Sequence, residues 1–454
     1  MQTDMINGPI IRSLLRFTLP MVIGNLLQQC YNIADTLIVG RVLGADPLAA
    51  VGSAFTLMTF LTSILLGLCM GSGAFFSIRF GDNDIKELQK GIVASFILIF
   101  LLTVLINGAA FLLLNRIGGF MNVPEEIWVF MRDYLEIIFC GIFAVFIYNF
   151  FACLLRAVGN SAVPLIFLAV SALLNIGLDI LFVVVIPYGV QGAATATVIA
   201  QYISAAGITV YAFIKVPYLK FDKSEFRIGE ALSINSVKEI AGFSLLTCVQ
   251  QSVMNLGILM VQGVVNSFGG VVMTAFAAAV KIDAFAYSPA QDFGNAFSTF
   301  TAQNFGAKKR ERIREGFKAA LMISVIFCLI ISAAVWIFSR QLMEIFVSGE
   351  ETKIISEGVR YLHIEGAFYC GIGCLFLLYG LYRGVGRPMM SVILTVISLG
   401  TRVALAYILS AIPAVGVLGI WWAVPIGWAL ADMAGLGYYM IYGRKILRKG
   451  GAEI

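Results

Sequence analysis

The chain has 454 residues, 60% of them hydrophobic and only 13% charged, with a mean hydropathy of +0.92. Soluble domains carry about 25% charged residues, so this composition excludes a water-soluble globule. The formal net charge of +5 says less than the distribution of Lys and Arg; no nucleic-acid partner is expected, and the lipid bilayer is the natural surrounding.

Apolar stretches of about 20 residues, each enough to cross a ~30 Å hydrocarbon layer as a helix, recur along the whole sequence. The opening MQTDMINGPIIRSLLRF lacks a short apolar core followed by a small-residue cleavage site, so the first helix is expected to be retained. Spans are predicted at 14–40, which holds Pro20, Gln28, Asn32 and Asp35, and at 48–76 and 91–114, joined by the turn RFGDN. The next are 130–153 with Glu136 and Asn149, 163–185 with Asn175 and Asp179, and 190–213 with Thr197. A polar segment at 216–238, rich in charge and interrupted by Pro217, reads as a cytoplasmic linker. Beyond it lie 240–264 with Gln251, 272–300 with Lys281, Asp283 and Asp292, and 317–338. The last three are 359–381 with His363 and Glu365, 391–411 with Arg402, and 417–441 with Asp432. Lys and Arg concentrate in KVPYLKFDKSEFR, AKKRERIREGFK and the tail GRKILRK, which places both termini in the cytoplasm under the positive-inside rule. The eight cysteines form no CxxC pair and read as small buried hydrophobes with free thiols.

The two ends of this series repeat one another. YLEI at Tyr134 returns as YLHI at Tyr361, and RAVGN at Arg156 as RGVGR at Arg383, each shifted by 227 residues. RFGDNDIKELQKG ending at Gly91 returns as NFGAKKRERIREG ending at Gly316, shifted by 225. The expected fold is therefore an all-α membrane protein of twelve transmembrane helices in two pseudo-symmetric six-helix bundles, 1–215 and 239–454. Six is even, so both halves should enter the membrane in the same sense, a parallel-repeat architecture in which substrate binds between the halves.

An ionisable group at the centre of a membrane helix costs roughly 2.5 to 3.5 kcal/mol on insertion scales, so those that remain there are functional candidates. Asn175 and Asp179 are four residues apart and share a helical face. With Asp35, Asn149 and Thr197 they can surround a cavity that takes a proton or a sodium ion, since hard cations prefer oxygen ligands. Two carboxylates sharing a low dielectric do not both ionise freely. The offset of 227 puts Arg402 at the place of Asn175 and Ala406 at that of Asp179, so the second half cannot copy this site. Lys281 and Asp283, two residues apart, point to different faces; Lys281 is expected either to neutralise a carboxylate elsewhere, Asp292 or Glu365, or to take part in substrate coupling. His363 and Glu365, near the outer end of their span, read as an interfacial polar pair. Pro20, Gln28, Asn32, Gln251, Lys281, Asp283, Asp292 and Arg402 are the candidates for the substrate cavity or its gating. Pro20 also removes a backbone hydrogen bond, which marks the first span as the deformable one.

Three stretches, LPMVIGNLLQQCYNIADTLIVGRVLGADPLAAVG, RAVGNSAVPLIFLAVSALLNIGLDILF and AQNFGAKKRERIREG, resemble in order and spacing the multidrug and toxic compound extrusion (MATE) family. The resemblance implies two bundles that alternate between outward and inward openings, exporting organic, usually cationic compounds in exchange for protons or sodium ions, without a cofactor and as a monomer in a bacterial inner membrane. Asp35 and Asp179 resemble the helix-one and helix-five aspartates of its N-lobe ion site, Asn175, Asn149 and Thr197 the accessory ligands, and Pro20 the helix-one proline associated with bending. The acidic residue that some branches carry in helix seven is replaced here by Gln250, Gln251 and Gln262, which resembles the DinF-type branch.

A flippase for a lipid-linked saccharide is the nearest alternative, but it would favour several cavity-facing cations, and only Lys281 and Arg402 qualify. A membrane enzyme is disfavoured: one histidine excludes HExxH zinc chemistry, and neither DDxxD nor GxSxG is present. GVGRP, AVGN and RFGDN fall between helices, outside the strand-to-helix setting of a phosphate loop, so energy must come from an ion gradient.

Overall fold

A computed structural model describes residues 2–120, 123–220 and 228–448. Among them the chain is a series of helices: α1 (Ile10–Leu43), α2 (Ala45–Gly81), α3 (Ile85–Phe120), α4 (Glu125–Cys140), α5 (Ile142–Ala157), α6 (Ala162–Asp179) and α7 (Gly189–Lys215). The short α8 (Ile228–Ala231) precedes α9 (Ile234–Asn266), α10 (Gly270–Gly306), α11 (Arg310–Glu344), α12 (Thr352–Gly366), α13 (Tyr369–Gly384), α14 (Pro388–Ser410) and α15 (Val417–Arg448). Ten of these are long and apolar enough to cross a membrane, and two further spans are the helix pairs α4–α5, bent by 44°, and α12–α13, bent by 51°. Twelve spans result, with the fourth and tenth broken.

Their outward faces are as apolar as their inward ones. On α3 Leu101, Leu105 and Leu112, spaced by four and seven residues, form an exposed stripe that only a lipid solvent satisfies. Inward, aromatic rings fill the space between helices: Phe96 and Phe76 each meet Phe150 edge-on at 5.2 and 6.0 Å, while in the second half Phe276, Tyr361 and Trp421 form a cluster at 4.8 to 5.5 Å.

The repeat extends to backbone conformation. Positive φ occurs in pairs: Gly44 and Gly269 (98° and 89°), Asn83 and Lys308 (57° and 59°), Gly159 and Gly386 (89° and 73°), and Gly189 and Gly416 (62° and 52°), each shifted by 225 or 227 residues. A lysine at φ 59° is unusual, and it is the turn inherited with Asn83 that holds it there. Close approaches repeat too, since Gly91 backs on the ring of Phe75 and Gly316 on the ring of Phe300.

The chain forms two compact units, one of Met1–Thr3, Leu19–Phe80 and Asp84–Cys248, the other of Asp4–Thr18, Gly81–Asn83 and Val249–Ile454. The boundary thus falls inside α9, beyond the 216–238 segment expected as the linker, whose residues 221–227 lie outside the described ones. Small residues account for the position: Gly67 and Gly71 of α2 let the backbone of α9 approach at Phe243, Ser244 and Cys248, a small-xxx-small packing. Ser72 and Ser244 share a hydrogen bond of 2.8 Å, and Arg79 donates to Glu239 at 2.7 Å. A second boundary lies in α1 between Thr18 and Leu19, immediately before Pro20, where the carbonyl of Arg16 loses its helical donor.

Candidate functional site

In the first unit, α6 carries Asn175 and Asp179 on its inner face, 2% and 0% exposed. The Asn175 amide donates to Thr197 Oγ1 of α7 at 3.2 Å. Asp35 of α1 is half-buried and lies within electrostatic reach of Asp179. Tyr31 of α1 and Tyr134 of α4 lie within reach of both acids. The helix changes character at the site: directly after Asp179 it continues as a π-turn over Ile180–Val185, with Ile186 N–H reaching back to Leu181 at 2.9 Å. Such turns widen the helix and loosen its backbone ladder.

Asp35 Oδ1, Asn175 Oδ1 and both carboxylate oxygens of Asp179 are buried and take no hydrogen bond from the protein. At about 1–3 kcal/mol for each unmet group, four such oxygens represent roughly 4 to 12 kcal/mol. Four inward-turned oxygens, three of them from carboxylates that carry up to two negative charges, form a donor set suited to a hard cation or a proton. Of the five residues expected here, the structure brings Asp35, Asn175, Asp179 and Thr197 together, whereas the Asn149 amide turns back to Val145 O of its own helix at 2.9 Å. Among the other candidates on α1, Gln28 is exposed and Asn32 half-buried.

The second unit has its own acidic constellation at different positions. Asp283 of α10 accepts the Tyr361 hydroxyl at 2.7 Å and the Tyr369 hydroxyl, and it shares a hydrogen bond with the carboxyl of Glu365. Arg402 of α14 is the cation within electrostatic reach of Asp283 and Glu365. Lys281 does not fill the neutralising role expected of it; it is exposed, with its ammonium over the ring of Phe346 at 5.8 Å. Nor do His363 and Glu365 form an interfacial pair. Two residues apart, they leave α12 in different directions: His363 stacks on Trp336 at 4.5 Å and meets Ser339 Oγ at 3.0 Å, while Glu365 is 4% exposed and turns to Asp283. Gln251 and Asp292 are both buried in this unit.

The sequence model of the MatE family matches the chain twice, over 20–181 and 247–408, the second segment beginning and ending 227 residues after the first. The chain belongs to the MatE family. It is 31% identical over 395 residues to the probable multidrug resistance protein YpnP of Bacillus subtilis, covering 87% of each, and 26% identical to YoeA of the same organism, covering 96% of this chain and 94% of that one. Its fold is similar to that of an outward-facing multidrug resistance MATE transporter of the MOP superfamily, with a TM-score of 0.90 at 23% identity over 98% of each chain. MatE proteins are membrane transporters, so transport and not catalysis is the business of this chain.

Within this MatE chain, reasoning from sequence alone missed four tyrosines and misplaced Glu365. Tyr134 and Tyr361 stand at equivalent positions of the two halves, each beside its own unit's acids, and the repeated YL-x-I motif was the signal for both. Tyr361 and Glu365 are also four residues apart, the spacing that puts them on one face. The acids themselves did not follow the repeat: Ile138 stands in the first half where Glu365 stands in the second, and Ala406 where the first half has Asp179.

Proposed function

We propose that this protein exports organic, amphiphilic cations by antiport with protons or sodium ions, through alternating access in the bacterial cytoplasmic membrane. The observation that carries the reading is the set of buried oxygens of Asp35, Asn175 and Asp179 left without donors. In the antiport cycle Asp179 and Asp35 hold the coupling ion, Asn175 supplies a third oxygen, and Thr197 fixes the Asn175 amide so that its oxygen faces inward. A bound ion shifts the transporter between its two states only through a difference in affinity between them. The π-turn directly after Asp179 and the proline fifteen residues before Asp35 on α1 supply that difference, because each lets its helix reshape around a filled site at low backbone cost. Both termini lie in the cytoplasm, one chain suffices for transport, and the helix-seven glutamines align it with the DinF-like branch.

Similarity to the probable multidrug resistance protein YpnP supports organic compounds as the substrate class. Expression in a bacterial strain lacking its own efflux pumps tests this directly. Cells carrying the parent chain should extrude a lipophilic cationic dye when energised and stop when both ion gradients are collapsed. Extrusion that survives collapse of both gradients overturns the reading.

A further inference from the structure

Between α3, α5 and α7 of the first unit lies a groove of about 540 Å³, within the ~300–1,000 Å³ range of ligand pockets. Its back wall is buried, with Ile92, Phe150 and Phe151 at 1 to 5% exposure, and its rim is exposed, with Val210 and Phe213 at 57% and 51%. The two lining residues with hydroxyls spend them elsewhere: Tyr202 OH donates to Cys140 O at 2.9 Å and Thr209 Oγ1 to Ala205 O at 2.6 Å. Nothing in the wall can hold a polar ligand, and the occupant must be hydrocarbon.

Two further features identify that hydrocarbon. Along α7 the groove runs from Tyr202 to Phe213, about 16 Å of helix rise, which is the depth of one leaflet of a ~30 Å hydrocarbon core. Past its end at Phe213 stand Lys215 and Lys220, both exposed and neither held in an ion pair among the described residues. Lys90, by contrast, is neutralised by Glu87 and Glu230 at 3.0 and 3.5 Å. The turn bearing Lys220 is fixed by Gln89, whose amide donates to Tyr218 O and Lys220 O at 3.2 Å each, while Leu219 closes the groove beneath it. An apolar slot one leaflet long, ending under two ammonium groups that are unpaired among the described residues, fits a lipid with an anionic headgroup.

We propose that this groove holds one acyl chain of an anionic phospholipid from the leaflet bordered by Lys215 and Lys220. Native mass spectrometry of the protein released from nanodiscs of mixed phosphatidylglycerol and phosphatidylcholine tests it. The parent should retain one phospholipid, with phosphatidylglycerol strongly preferred. Ala206→Trp, whose indole grows from an exposed position into the groove, should cut retention about tenfold, equivalent to about 1.4 kcal/mol. K215Q/K220Q should keep the lipid but lose its headgroup preference by roughly twenty-five-fold, at about fivefold per lysine. Equal retention in parent and A206W overturns the proposal, as does an unchanged preference in K215Q/K220Q. Displacement by A206W of a cationic dye, with phospholipid retained, would assign the groove to substrate and overturn it equally. Dye export by the same variants, read separately, shows that each has folded.

Discussion

Replacing Asp179 by asparagine keeps the shape of the side chain and removes its charge. The carboxylate it replaces is 0% exposed and both its oxygens lack protein donors, so the parent carries about 2–6 kcal/mol of unmet polar burial at this one residue. A carboxylate that served to hold helices together would be satisfied, and removing its charge would cost about 3–5 kcal/mol, as breaking a buried ion pair does. For Asp179 the opposite sign is expected: D179N should be as stable as the parent or up to about 2 kcal/mol more stable, while export falls to the level of cells without the protein. The assay pairs the fraction of protein that stays monodisperse after heating in detergent with dye extrusion by cells expressing equal amounts. A variant that melts several kcal/mol lower, or one that exports like the parent, refutes the reasoning.

Asn175→Ala and Thr197→Val each break one neutral hydrogen bond of 3.2 Å, worth about 1 kcal/mol; the coupling-ion concentration for half-maximal export should rise about fivefold, and an unshifted curve excludes their part in the site. Tyr361→Phe and Tyr369→Phe each remove a hydroxyl donor from Asp283 and should lower stability by about 1.5–3 kcal/mol; a double variant that melts like the parent contradicts the hydrogen-bonded cluster. Gly91→Ala and Gly316→Ala push a methyl into Phe75 and Phe300 and should cost about 1–3 kcal/mol, alike in both halves; strongly unequal melting shifts would deny the equivalence of the two contacts. Outside the membrane, burial raises the Asp4 carboxyl, but the N–H groups of Asn7 and Ile6, with Arg312, hold it below its ordinary 3.8. Its contribution is therefore present above that value and lost as the pH falls through the lower folded-state value. At this exposed position the contribution is a few tenths of a kcal/mol, so the melting curves of parent and Asp4→Asn should differ slightly at pH 6 and converge in acid; a gap that widens in acid contradicts it.

The spans, their order and the repeat were legible because each rests on hydropathy and spacing, which act locally along the chain. The breaks in the fourth and tenth spans were not, since the apolar run continues through Gly141 and Phe368 and only tertiary packing bends it. The unit boundary shared that fate: Gly67 and Gly71 are visible as a small-xxx-small pair, but nothing local says that α9 is the partner. In the ion site Asn175 and Asp179 were readable from their shared helical face, and Thr197 joined them, while Asn149 donates its amide to the Val145 carbonyl one turn back on its own helix. The second unit's cluster escaped because it depends on which spans face one another. Asp283, Glu365, Tyr369 and Arg402 come from four different helices, and Lys281, two residues from Asp283, points the other way.

The central claim is that the buried acids of the first unit exchange ions as substrate moves. Proton and sodium fluxes elicited by an organic cation in proteoliposomes, compared among the parent, Asp35→Asn and Asp179→Asn, test it most directly. The parent should move one of the two ions against the substrate in fixed proportion, and both variants should lose that counterflow. Substrate-driven ion counterflow undiminished in Asp179→Asn would contradict the account.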